Sequence, residues 1–222
     1  MNNLLRFNAN TTVKHLRAAL VEAGRIAYTR GLLTSNDGNL SVRLGSGDIL
    51  ITPSGLCKGR LAPDDILLIN AAGDVLHAAG GLKPTSETPM HIEVYRRRPD
   101  ARAVIHAHPP YAVALTLAGK NLRADILPEI ALTLGDVPTT DFALPCSEEN
   151  AAAIRALIPD HDALILRQHG VLAVGATLDH ALIALERVES CAQVQVLAEM
   201  MGQVTPLPAA MLPQLHAMRR GS

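Results

Sequence analysis

The sequence predicts an α/β fold in which a mixed sheet is covered by helices on both faces. Three observations carry this reading. Short apolar runs of strand length recur along the chain, several are joined by glycine turns as in hairpins, and helical patterns separate and flank them. Val13, Leu16, Leu20, Ala23 and Ala27 recur at three- and four-residue steps, so the first helix is amphipathic, and Gly31 can end it. Leu40–Leu44 and Asp48–Thr52 read as strands joined by the turn Gly45–Ser46–Gly47. Ile66–Asn70 reads as a third strand, turning through Ala72–Gly73–Asp74 into a fourth. Thr88–Pro89 opens a helix to Arg97, because proline is tolerated in the first turn. Arg102–His108 is then a strand and Pro110–Ala118 a helix. Ser147 caps a helix to Leu157, whose positive end Glu148 and Glu149 favour. Ala163–Arg167 and Val171–Val174 are strands. Thr177 opens a long last helix to Met201 with an apolar stripe of Leu178, Leu182, Leu185, Ala192 and Val196. The segment from Pro206 to Ser222 is expected to pack loosely.

The length of 222 residues suits one domain over 1–222, with its core over 12–201 and a tail over 202–222. Hydrophobic residues make up 48% and charged residues 18%, the balance of a folded chain rather than a disordered one. With no Trp, three Tyr and two Phe, the core has to be built from Leu, Ile, Val and Ala. A formal net charge of −1 argues against a nucleic-acid partner, which needs a basic surface to release counterions. No apolar stretch reaches the roughly 18 residues of a membrane span, and residues 1–10 lack a signal-peptide core, so no membrane partner is expected. Cys57, Cys146 and Cys191 are odd in number and form no CxxC pair, as expected of reduced thiols in the cytoplasm.

Chemistry concentrates in four places. His106 and His108 close an apolar strand, where residues two apart point the same way, and His169–Gly170 closes another. Three imidazoles with one open position is the arrangement of catalytic zinc, whereas a lone histidine on an apolar face is usually a satisfied core residue. Ser35–Asn36–Asp37–Gly38–Asn39 ends where a strand begins. Alone it is an ordinary turn, although the Asn39 amide can donate into a cleft. Thr52–Pro53–Ser54–Gly55 offers a hydroxyl beside a glycine amide, either a small anion nest or simply a loop. Lys83–Pro84–Thr85–Ser86–Glu87 leads into a helix start, where hydroxyls and backbone N–H groups bind phosphate well. Glu87 there either complements the helix dipole or moves protons beside a metal. Cys57 and Lys58 follow the Ser54–Gly55 turn, where a cleft wall and an exposed loop read alike.

The combination resembles the class II aldolase/adducin family. The residues that carry the resemblance are Gly38–Asn39–Leu40–Ser41–Val42–Arg43, Ile51–Thr52–Pro53–Ser54–Gly55, Thr85–Ser86–Glu87, His106–Ala107–His108 and His169–Gly170. They stand in the family's order with similar spacing. The resemblance implies a three-layer αβα fold with a central mixed, largely antiparallel sheet. It implies that His106, His108 and His169 hold one Zn2+ per subunit, or another divalent metal. By the same resemblance Glu87 is the catalytic acid/base and closes the metal's coordination when substrate is absent. Asn39, Ser54, Gly55, Thr85 and Ser86 become the cradle for a sugar phosphate, and the assembly a homotetramer with sites at subunit interfaces. The chain departs from the family's fuculose-phosphate aldolases at two tyrosines. Leu127–Pro128–Glu129–Ile130 stands at one of these places, so Glu129 is either a substrate contact or a solvated loop charge, and no tyrosine follows Gly202.

The implied reaction is reversible cleavage of a ketose 1-phosphate, fuculose- or deoxyribulose-phosphate-like, to dihydroxyacetone phosphate and an aldehyde. Breaking a carbon–carbon bond beside a carbonyl leaves an enediolate that needs charge stabilisation, which a Lewis acid supplies. Sugar-phosphate 4-epimerisation, decarboxylation of a phosphorylated sugar acid and dehydration of methylthioribulose phosphate use the same site, and fold analogy does not choose among them. A non-catalytic scaffold domain, as in adducin, has no reason to keep three histidines and the carboxylate. A structural zinc site would be closed and Cys-rich, and no cysteine neighbours these histidines.

Overall fold

Along the central strands the side chains alternate between two apolar layers, and that alternation dictates the architecture. The computed structural model describes residues 3–8 and 11–220. Met1, Asn2, Ala9 and Asn10, from the segment expected to lack a signal-peptide core, lie outside them, as do Gly221 and Ser222 of the expected tail. Strands β1 (Asn39–Arg43), β2 (Ile49–Ile51), β3 (Leu67–Ile69), β4 (Val75–His77), β5 (Ala103–Ala107), β6 (Ala163–Leu166) and β7 (Gly170–Gly175) form one sheet. Its order is β4-β3-β2-β1-β5-β7-β6, and each neighbouring pair is antiparallel. The parallel part of the expected mixed sheet is an isolated bridge between Thr139 and Ile165.

Helices α1 (Val13–Thr29), α2 (Thr88–Arg97), α3 (Pro110–Leu117), α4 (Pro128–Thr133), α5 (Glu148–Ile154), α6 (Leu178–Met201) and α7 (Leu212–Arg220) complete the chain. Leu40, Val42, Ile105 and Ala173 of the sheet pack in one layer with Leu16 and Leu20 of α1 and Leu178 and Leu185 of α6. The alternating Ile51, Val104, Leu172 and Val174 pack in the other with Met90 and Val94 of α2 and Ile154 of α5. Each such aliphatic contributes about 1.5–3 kcal/mol on burial, which is how a chain poor in aromatics is held together. Thr12, Ser147 and Thr177 cap α1, α5 and α6 through side-chain oxygens that accept a backbone N–H.

Three segments differ from the sequence reading. Helix α5 stops at Ile154 rather than Leu157, and tight turns from Leu157 and Ile158 back to Ile154 lead into Pro159, which disfavours helix at the residue before it. The Glu129 segment is helical, started by Pro128 and anchored by buried Ile130 and Ala131. The tail carries α7, which packs on α4 through the half-buried Leu212, Leu215 and His216. Their i, i+3, i+4 spacing is the signal for a helical face. All three cysteines are free, and no helix among the described residues is long and apolar enough to cross a membrane.

Candidate metal and substrate site

Strands β5 and β7 run antiparallel with His106 opposite Leu172, so the end of β5 and the start of β7 meet at one end of the sheet. His106 is the last residue of β5 on the Val104 face of the sheet, His108 lies just past the strand, and His169 just before β7. The three rings converge with centroids 4.8, 4.7 and 5.1 Å apart, and each offers a ligand nitrogen within 4.8 Å of the others. His106 Nδ1 lies 3.0 Å from the Val171 carbonyl oxygen, which only a protonated Nδ1 can satisfy. Its Nε2 is thereby the nitrogen turned to the site, 2.9 Å from His108 Nε2. The His169 Nδ1 is buried with no hydrogen-bond partner among the described residues.

Glycine at position 170 makes this convergence possible. A Cβ there would overlap the Ala107 carbonyl oxygen and stand 2.7 and 2.9 Å from the His108 and His106 rings. Gly170→Ala is therefore expected to push the histidines apart, lower the melting temperature and weaken zinc binding about 10- to 100-fold, the range of perturbed ligand-orienting groups. Calorimetric zinc titration checks this, and unchanged affinity would show that the strand ends can yield.

Glu87, the residue before α2, faces the same point. Its Oε2 lies 3.1 Å from His106 Nε2 and its Oε1 3.5 Å from His169 Nε2. Asn39 Nδ2 donates to Oε2 at 2.8 Å and Asn150 Nδ2 to Oε1 at 3.2 Å. Burial opposes charge on this carboxyl, but His106, the Asn39 amide and His169 outweigh it and hold its pKa well below the usual carboxylate range. Burial, with His106 and His169 adding, lowers His108 to about 3, and burial with His106 lowers His169 to about 4. Both rings are neutral near pH 7, the form that a metal binds. Three convergent imidazoles, the Nδ1 of one held by the Val171 carbonyl, and an adjacent carboxylate fit a divalent cation with room for a further ligand.

Behind Glu87 runs a buried polar ladder between α2 and β1. His91 Nε2 donates to Asn39 Oδ1 at 2.5 Å, Ser41 Oγ donates to His91 Nδ1 at 2.6 Å, and Tyr95 OH donates to Ser41 Oγ at 2.7 Å. Each role forces the next: Asn39 must turn its NH₂ to the Glu87 carboxylate, so its carbonyl needs a donor, and His91 is that donor. The Arg43 guanidinium stacks over Tyr95 at 5.1 Å and donates to its carbonyl, ending the series.

The face of Glu87 away from the ladder opens into a cavity of about 250 Å³. Asn39, Ser54, Gly55, Thr85 and Ser86 line it together with Glu87, His108 and His169, while His106 is buried behind them. The Ser54 and Thr85 loops are clasped by backbone bonds from Ser54 N–H to the Lys83 carbonyl and from Thr85 N–H to the Thr52 carbonyl. Asn39 has one N–H committed to Glu87, Thr85 Oγ1 accepts from the Glu87 N–H at 3.3 Å, and Ser86 Oγ lies 3.0 Å from Cys146 Sγ. Glu129 is not brought to this cavity; on α4 it lines a separate one with Arg187, Ser190 and Cys191. Sequence reasoning missed His91 and Asn150. The four-residue steps Glu87, His91, Tyr95 were a readable signal, whereas nothing in Glu148–Glu149–Asn150 sets Asn150 apart.

A family model described as the class II aldolase and adducin N-terminal domain matches residues 18–196. A methylthioribulose-1-phosphate dehydratase from Methylococcus capsulatus is 38% identical over 78% of this chain and 88% of its own length. A 5-methylthioribulose-1-phosphate/5-deoxyribulose-1-phosphate aldolase from Rhodospirillum rubrum is 35% identical over 80% of this chain and 79% of its own length. The solved L-fuculose-1-phosphate aldolase of Thermus thermophilus superposes with a TM-score of 0.74 at 32% identity, over 87% of this chain and 98% of that one.

Proposed function

The chain belongs to the class II aldolase and adducin family, and from that premise we propose that it is a zinc-dependent aldolase. It would reversibly cleave a ketose 1-phosphate to dihydroxyacetone phosphate and an aldehyde. The observation that carries this is the Glu87 carboxylate, 3.1 and 3.5 Å from two of three convergent imidazoles and on the wall of an open cavity. His106, His108 and His169 would hold a divalent ion, whose chemistry when bound would be Lewis-acid polarisation of a ketose carbonyl. Glu87, a carboxylate at rest, would take up the proton released by the hydroxyl whose carbon becomes the aldehyde and return it to the three-carbon fragment, and would run the two transfers in reverse in the synthetic direction. Ser54, Gly55, Thr85, Ser86 and the second Asn39 N–H hold the phosphate, so binding at the unreactive end positions the reacting carbons.

The two relatives from Methylococcus and Rhodospirillum share a substrate in their names, which supports a 5-deoxy- or 5-methylthio-ribulose 1-phosphate for this chain. The 38% identity to the dehydratase also favours a second reading, loss of water from that same substrate. Zinc-loaded protein incubated with 5-deoxyribulose, 5-methylthioribulose and fuculose 1-phosphates should release dihydroxyacetone phosphate, and a chelator should abolish release. Water loss followed by proton NMR, without triose release, would select the dehydratase. Neither product would defeat both readings.

A cytoplasmic homotetramer belongs to the same proposal. Exposed Ile183, Val194, Leu197 and Met201 on α6 offer apolar surface for self-association, which sedimentation velocity reads directly. Glu129, remote from the cavity of its own chain, would reach a substrate only from a neighbouring copy.

A further inference from the structure

We propose that Lys58 supplies the positive charge of the phosphate subsite, an inference that rests on the sugar-phosphate reading above. The residue is 2% exposed, yet it lies on the wall of the cavity that holds Ser54, Gly55, Thr85 and Ser86. Its Nζ donates to the Asn36 carbonyl at 2.6 Å and the Leu56 carbonyl at 2.8 Å. An ammonium has three donors, so one N–H is left. No carboxylate lies within 4 Å of Nζ among the described residues, and Asp37 and Glu87 act on it only at longer range. It is also the only lysine or arginine on that wall among the described residues.

The seat is built for it. Lys58 begins a short 3-10 turn, Lys58–Arg60, that packs on α1 where Gly24 has no side chain. A Cβ at Gly24 would stand 2.5 Å from the Lys58 carbonyl oxygen, so the backbone is held against the helix while the side chain spans to the 36–56 loops. An ammonium buried with carbonyl dipoles and no carboxylate in contact is costly, and the cost is relieved when an anion reaches its free N–H. Hydroxyls and amides alone select for shape and hydrogen bonding. A fixed charge beside them selects a phosphate dianion over a neutral sugar hydroxyl.

The test is calorimetric titration of the zinc-loaded full chain with inorganic phosphate. Lys58→Gln keeps N–H donors for a carbonyl and removes the charge, while Lys58→Arg keeps the charge. K58Q is expected to weaken phosphate binding about 10- to 100-fold, the worth of a charge-assisted hydrogen bond, with K58R recovering part of it. In turnover K58Q should raise KM more than it lowers kcat. Should K58Q fail to fold, the Lys58 ¹³Cε resonance of the wild type is expected to shift on adding phosphate. Equal phosphate affinity in K58Q, a still resonance, or a wild type that binds no phosphate would each overturn the assignment. Phosphate binding through Lys58 without turnover of any ketose phosphate would defeat the aldolase and dehydratase readings and leave this one standing.

Discussion

Replacing Glu87 with glutamine is expected to lower turnover of the zinc-loaded protein about 10³-fold, within the range that general acid–base groups contribute. The substitution keeps the side-chain shape and all three imidazoles, so zinc content measured by atomic absorption should stay near one ion per chain. What is lost is the group to which the proposed reaction assigns the proton. A stability cost should accompany it. Asn39 and Asn150 each donate to one carboxylate oxygen, and a glutamine has a single acceptor oxygen to offer two buried amides. Leaving one of them unsatisfied costs about 1–3 kcal/mol, readable by denaturant titration. Turnover within a few-fold of wild type would remove Glu87 from proton transfer and shift attention to a group from a neighbouring subunit.

His91 should make the fold acid-sensitive. The ring is fully buried among Asn39, Ser41 and Tyr95, and burial lowers its pKa to about 3, with His106 adding and Glu87 opposing. In the unfolded chain it titrates near 6.5, so between about 3 and 6.5 the unfolded state binds the extra proton. Stability from this group is therefore complete above about pH 6.5 and is lost as pH falls towards 3, at up to about 1.4 kcal/mol per pH unit. Urea unfolding of the zinc-loaded protein from pH 7.5 to 4.5 should show a steeper acid slope for wild type than for His91→Gln. The variant should start lower at pH 7.5, because one flexible amide does not reproduce the rigid ring that donates to Asn39 Oδ1 and accepts from Ser41 Oγ at once. Parallel slopes would mean that His91 becomes protonated without unfolding.

The elements that bury a simple periodic pattern were legible in the sequence. Alternation at Ala103–Ala107 predicted a strand and put His106 and His108 on one side of it, and the three-four spacing from Val13 to Ala27 gave α1 nearly to the residue. Strand ends raised the meeting of these histidines with a third, whereas Glu87 beside them was implied by the family resemblance and not by its place at a helix start. Short pieces were harder. The α4 pattern of Ile130 and Ala131 is too brief to distinguish from a loop, and α7 shows its face only once α4 is there to pack on. Groups that act through space left the least trace. Lys58 reads equally as cleft wall or exposed loop until Gly24 is seen to bring its turn against α1, and Asn150 is one polar residue among several.

The ladder between β1 and α2 works as a vernier. Two residues along a strand advance about 6.8 Å and four along a helix about 6.0 Å. The rungs Asn39–Glu87, Ser41–His91 and Arg43–Tyr95 therefore read against each other on unequal scales. Scales of that kind coincide at one setting only. Sliding α2 by a single residue would rotate its side chains by about 100° and unmatch every rung together, so intermediate settings are not available to it. The zero of this gauge is Asn39, which stands opposite His106 in the β1–β5 register. Glu87 is thus measured from the same strand pair that carries the central imidazole, and loops around the cavity can shift without changing that distance.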